Sequence, residues 1–254
     1  MDTKKDRKGS IKKSVIFYLV ISIVVLASLY FFELSAALIA YSIIILIAYI
    51  SKKQDGDFWW GVSWKPGFMF GLILISSIFI LELWLGWIEL EGLSPDLLYI
   101  LIGAVIFEVL VTLGEEMSFR GYILPNLIES LGLRNAIITT SLLFALLHIP
   151  SILFLGIGKF NTIIMFASII MAGILMSILY LIGGLKMSSG FHFSWNFFQY
   201  HIFSLRGGFG IFGLTAMKPE FTGGSVGPEA GIFGLFVLML GILILLVFVP
   251  FSKE

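Results

Sequence analysis

The chain has no cysteine. Disulfides, thiolate metal sites and a thiol nucleophile are therefore excluded. Charge is scarce too: Asp, Glu, Lys and Arg make up 13% of the 254 residues, where a soluble domain is nearer a quarter. Net charge is zero, so bulk electrostatics point to no nucleic acid partner. Only three histidines occur. No Gly-Lys-Ser or Gly-Lys-Thr follows the glycines of the C-terminal third, which argues against a phosphate cradle. The one-helix zinc signature His-Glu-x-x-His is absent as well. Internal repeats and low-complexity segments are not evident.

What the chain has in abundance is apolar surface. Hydrophobic residues make up 59% and mean hydropathy is +1.04. A bilayer core of about 30 Å needs roughly 20 apolar residues per helix. About eight segments meet this, near 14–32, 34–50, 67–88, 97–113, 135–155, 161–182, 188–205 and 231–251. The expected architecture is an all-α polytopic bundle, one transmembrane domain over residues 1–254, with a polar site inside it. The first run is too long for a signal-peptide core and lacks a small-residue cleavage site, so it reads as a retained span. Pro95-Asp96 can open the fourth helix. Lys and Arg flank alternate breaks, and six basic residues precede the first span, which predicts cytoplasmic termini and a cell-membrane location. Trp59, Trp60, Trp64, Trp84 and Trp87 lie near span ends, as an interfacial belt does. Glu33, Glu82 and His201 read as interfacial.

Three polar groups interrupt this pattern. In Leu113–Tyr122, Glu116 and Arg120 are spaced i,i+4, which suits an ion pair. Glu115 is left without a local partner, and Glu108 returns to its face seven residues earlier. A solvated charge cluster at the start of a surface helix fits the same letters. His148 closes an apolar run with Phe144 one turn before it. Pro150 predicts that the helix ends or kinks just after the imidazole, and a backbone carbonyl is the ring's simplest partner. His192, Asn196 and Gln199 fall at i, i+4 and i+7 on a third helix, where interhelical hydrogen bonding is the plainer reading. Together these groups can do more. A glutamate with a histidine can activate water, and a second histidine with an asparagine can donate to an oxyanion. Those are the parts needed to hydrolyse an acyl bond without a covalent nucleophile.

Glu115-Glu116-x-x-x-Arg120, Phe144-x-x-x-His148 and His192-x-x-x-Asn196, in that order on successive spans, resemble the CPBP family. These are the CAAX-protease and bacteriocin-processing (Abi) intramembrane endopeptidases, which include the type II CAAX prenyl proteases. The resemblance covers about residues 108–205. It implies that Glu115, assisted by His148, activates water, that His192 and Asn196 orient the scissile carbonyl and hold the oxyanion, and that Glu116 and Arg120 form a supporting pair. Glu108 is either a partner of that site or a structural acid. A metal-free reaction is the preferred expectation, with no cofactor. Glu115, His148 and His192 are the ligands if the reaction needs Zn2+. The implied substrate is a peptide or a prenylated or otherwise lipidated protein reached from membrane lipid. The competing expectation is a non-catalytic membrane protein, in bacteriocin self-immunity or as a scaffold. A proton-coupled transporter is weaker, because no repeated halves are evident. The glycine-rich segment 206–231 reads as a mobile loop bordering substrate access.

Overall fold

The computed structural model describes residues 3–31, 34–94, 97–206 and 210–248. Glu33, Pro95, Asp96, Gly207, Gly208 and the last residues of the eighth predicted span lie outside them. The chain is a helical bundle. Its elements are α1 (Thr3–Phe31), α2 (Leu34–Asp55), α3 (Lys65–Trp84), β1 (Ile88–Leu93), α4 (Leu97–Glu116), α5 (Leu124–Leu131), α6 (Leu133–Phe154), α7 (Lys159–Phe197), β2 (Phe212–Ala216), α8 (Pro219–Thr222) and α9 (Ile232–Phe248). Five helical stretches among the described residues are long and apolar enough to cross a membrane: Lys8–Tyr30, α2, α3, α6 and the 44-residue stretch Lys159–Ile202. A sixth apolar helix, Ile232–Val247, is shorter.

The longest stretch is two arms. Gly184 leaves helical geometry at φ 75° and ψ −173°, close to the predicted break between the sixth and seventh spans. Met165 and Tyr200 line one cavity, yet an unbroken helix would separate them by about 50 Å at 1.5 Å per residue. The second arm therefore folds back along the first. The turn needs glycine: a Cβ on Gly184 would lie 2.6 Å from the Gly61 nitrogen. The loop at Trp59 and Trp60 caps the second arm, its carbonyls accepting from the Leu185 and Lys186 N–H groups at 2.9 Å each. Those donors have no partner within the helix.

The second arm packs tightly on α3. A Cβ on Gly67 would meet the Met187 carbonyl oxygen at 1.9 Å, and one on Gly190 would meet the Trp64 carbonyl oxygen at 2.2 Å. In lipid there is little hydrophobic drive between helices, so close backbone approach through small residues supplies the packing.

Several sequence expectations change here. The helix does not stop at Pro150: α6 continues to Phe154. Proline forfeits one backbone bond, and Ile152, 3% exposed, packs the last turn into the core. Two short strands join the all-α bundle, β1 pairing antiparallel with β2 in the register Ile88↔Ala216, Glu89↔Thr215 and Leu90↔Leu214. The glycine-rich segment is packed where it is described: Val226 and Ala230 are buried, and Asn161 Nδ2 donates to the Pro219 and Ala230 carbonyls at 3.2 and 2.7 Å. Glu82 is fully buried rather than interfacial.

Candidate active site

The charged stretch sits at a change in helix type. α4 ends at Glu116 and the backbone widens into a π turn over Met117–Ile123. Such turns are rare and recur at functional sites. Every residue of the turn is buried, and Glu116 and Arg120 are completely so. That removes the solvated surface-helix reading.

Arg120 Nη1 donates to Glu116 Oε1 at 2.9 Å, as the i,i+4 spacing predicts. The guanidinium also donates through Nη2 to the Gly173 carbonyl at 3.1 Å and lies 4.6 Å from the centre of the Phe144 ring. The pair thus ties the π turn to α6 and α7. It does one thing more: His192 Nδ1 donates to the same Glu116 oxygen at 3.0 Å. That bond fixes the ring and turns Nε2 toward Glu115 Oε2, 3.7 Å away.

His148 is oriented in the same manner. Its Nδ1 lies 2.8 Å from the Phe144 carbonyl oxygen. A carbonyl only accepts, so Nδ1 carries the proton and Nε2 of the neutral ring offers a lone pair. Nε2 faces Glu115 Oε1 at 3.9 Å. The backbone partner anticipated as the simplest reading is present, and it serves to aim the other nitrogen. Glu115 itself is 8% exposed and accepts from the Tyr41 hydroxyl at 2.9 Å.

Both Nε2–carboxylate separations are too long for direct hydrogen bonds, so an intervening atom suits them. A pocket of about 50 Å³, lined by Tyr41, Glu115, Ser118, His148 and Ser151 among others, adjoins this point. It has room for a water molecule. On a tetrahedral zinc ion with ligands at 2.1 Å, donor atoms are about 3.4 Å apart. The separations of 3.7 and 3.9 Å are wider, and no group of three or more acidic or histidine side chains among the described residues has metal-site spacing.

A larger cavity of about 490 Å³ holds Glu108, Glu115, His148, His192 and Asn196 on its wall. Gln199 does not join them: it is completely buried outside that wall. A second π turn over Phe198–Ile202 interrupts the helix there, and Tyr200 takes the place on the cavity face. Glu108 is paired, 3.1 Å from His201 Nε2. His201 is thus an inward partner of Glu108 rather than an interfacial residue.

Four cavity residues were not anticipated as site residues. Tyr41 comes from α2, Tyr200 from the second π turn, and Arg206 and Glu229 from the glycine-rich segment. Tyr200 donates to Glu229 Oε1 at 3.0 Å. Burial pushes the Glu229 carboxyl above the usual range, against the opposing pull of the Tyr200 hydroxyl, Arg206, His148 and His192. The only available signal for the two tyrosines was a hydroxyl in an apolar run, which interfacial tyrosines share.

Residues 95–198 match the family model of the type II CAAX prenyl endopeptidase Rce1-like proteins. Over this segment the chain is similar to the CAAX-protease family. The matched segment holds all seven motif residues from Glu115 to Asn196, and leaves Tyr41, Tyr200 and Glu229 outside it. No curated protein and no solved structure matches the chain.

Proposed function

We propose that the protein is an intramembrane endopeptidase that hydrolyses a peptide bond with water activated by Glu115 and His148. The observation that carries this is the convergence of two oriented Nε2 atoms on one buried carboxylate, beside a water-sized pocket. Glu115 or the His148 lone pair takes a proton from water, and the resulting nucleophile attacks the substrate carbonyl. Asn196 and His192 stand on the same wall to meet the developing oxyanion. Because Nδ1 of His192 is committed to Glu116, donation from Nε2 requires the doubly protonated ring, with Glu115 and Glu116 as counter-charges.

The substrate proposed is a peptide or lipid-modified protein tail. The apolar side of the cavity, including Val25, Leu29, Ile44, Phe107, Val111 and Leu155, suits a chain that arrives from the bilayer. The basic residues near the span ends support cytoplasmic termini, with cleavage near that face. The width of the Glu115–histidine gaps supports the metal-free form of the reaction.

The test is cleavage of a farnesylated CAAX-type peptide by the reconstituted protein. His148→Ala and His192→Ala are expected to abolish turnover while folding is retained. Turnover at the wild-type rate in either variant overturns the assignment. A non-catalytic protein would show no cleavage in any form, and its cellular phenotype would survive both substitutions.

A further inference from the structure

The cavity contains a carboxyl that water activation does not use. Glu229 sits on a single 3-10 turn, Pro228–Ala230, at the end of the glycine-rich segment just before α9. Its backbone is held firmly. Asn161 of α7 binds the Ala230 carbonyl at 2.7 Å, and a Cβ on Gly234 would strike the Pro228 carbonyl oxygen at 2.0 Å. Its side chain is held by the Tyr200 hydroxyl at 3.0 Å. Glu229 shares the cavity wall with Glu115, His148, His192 and Asn196. The charged and titratable groups facing it are Tyr200 from the second π turn, His192 from α7, His148 from α6, and Arg206. Glu115 and Glu229 are therefore presented alike, each accepting from a tyrosine, Glu115 from Tyr41 and Glu229 from Tyr200, whereas the third cavity carboxyl, Glu108, pairs with His201.

Peptide hydrolysis needs two proton transfers. Removing a proton from water creates the nucleophile, and the departing nitrogen must gain a proton, because an amide anion is too basic to leave. We propose that Glu229, positioned by Tyr200, protonates the leaving amine; this rests on the endopeptidase reading above. The water oxygen bonds to the carbonyl carbon while its proton passes to Glu115 or His148. As the C–N bond breaks, its electron pair takes the Glu229 proton. The products are a carboxylic acid and an amine. Glu229 regains a proton from the Glu115–His148 pair through water, so no co-reactant is consumed. Burial of Glu229, which favours its protonated form, fits this role.

The experiment uses the full chain in lipid nanodiscs and two probes. One is a farnesylated CAAX-type peptide. The other is its thioester analogue, with sulfur in place of the scissile N–H. A thiol leaves as thiolate without a proton, because its pKa is about 8.5. Glu229→Gln is isosteric and still accepts from Tyr200. It is expected to lower kcat on the amide by roughly 10²–10⁴-fold and to leave thioester turnover within about threefold. The fall in amide cleavage at rising pH, as the acid is lost, disappears in the same variant. Tyr200→Phe shows the same selectivity for the amide more weakly. Equal losses on both probes, or no loss on the amide, overturn the proposal. Glu115→Gln loses both substrates. If the wild-type protein cleaves neither, the endopeptidase reading itself fails.

Discussion

Replacing Glu116 and replacing Glu115 should have opposite consequences. Glu116 and Arg120 are completely buried and 2.9 Å apart. Coulomb's law at that distance gives roughly 6 kcal/mol of attraction for an effective dielectric of about 20. Removing one partner of a buried pair leaves the other charge uncompensated and costs about 3–5 kcal/mol. Glu116→Gln strands the Arg120 guanidinium and loosens His192 as well. Its melting temperature, followed by tryptophan fluorescence in detergent micelles, should fall by on the order of 10 °C. Glu115→Gln leaves the Tyr41 hydroxyl an acceptor and breaks no direct ion pair, since its histidines stand at 3.7 and 3.9 Å. Its cost should stay near 1 kcal/mol. The double variant Glu116→Gln/Arg120→Met removes the stranded charge and should recover part of the loss. The Gly173 carbonyl that Arg120 leaves still accepts from Ser177 Oγ at 2.8 Å. Equal melting temperatures for Glu115→Gln and Glu116→Gln, or no recovery in the double variant, would refute this division between catalytic and supporting carboxylate.

Three further outcomes follow from the geometry. Tyr41→Phe removes the hydrogen bond that Tyr41 gives to Glu115 and should lower kcat by about tenfold with KM little changed, as loss of roughly 1.4 kcal/mol of orientation implies; an unchanged kcat removes Tyr41 from the site. Exhaustive chelation of the purified protein should leave cleavage intact, and activity lost to chelator and restored by Zn2+ would replace the metal-free mechanism. Gly184→Ala places a Cβ 2.6 Å from backbone at a positive φ, so it should lower the melting temperature and the yield of folded protein; wild-type melting would mean that the α7 turn is not tightly packed.

The motif of the proposed site was legible because it is local. Glu116–Arg120 is one helical turn, His192–Asn196 another, and scarce polar residues stand out in apolar helices. The partners that complete the site were not legible, because they arrive from far along the chain. Tyr41 reaches Glu115 across 74 residues and His201 reaches Glu108 across 93. Periodicity assigns faces but not which face meets which helix. It also assumes an unbroken 3.6-residue repeat, and the π turn after Phe197 put Tyr200 rather than Gln199 on the cavity. Of the end or kink that Pro150 suggested, the end does not occur, because a single lost backbone bond is outweighed by packing of the turn that follows. Glycine in 206–231 suggested mobility, whereas Gly223 and Gly227 serve close backbone packing there. Glu229, fixed in that segment, was hidden for the same reason.

The measurement that bears most directly on the account is the rate at which folded Glu115→Gln protein cleaves a farnesylated CAAX-type peptide that the wild type cleaves. The amide keeps the shape of the side chain and its acceptor for Tyr41 but cannot take a proton from water. The account predicts normal melting with turnover lost by several orders of magnitude. Cleavage near the wild-type rate would contradict it, because the Glu115 carboxylate would then not be needed to activate water.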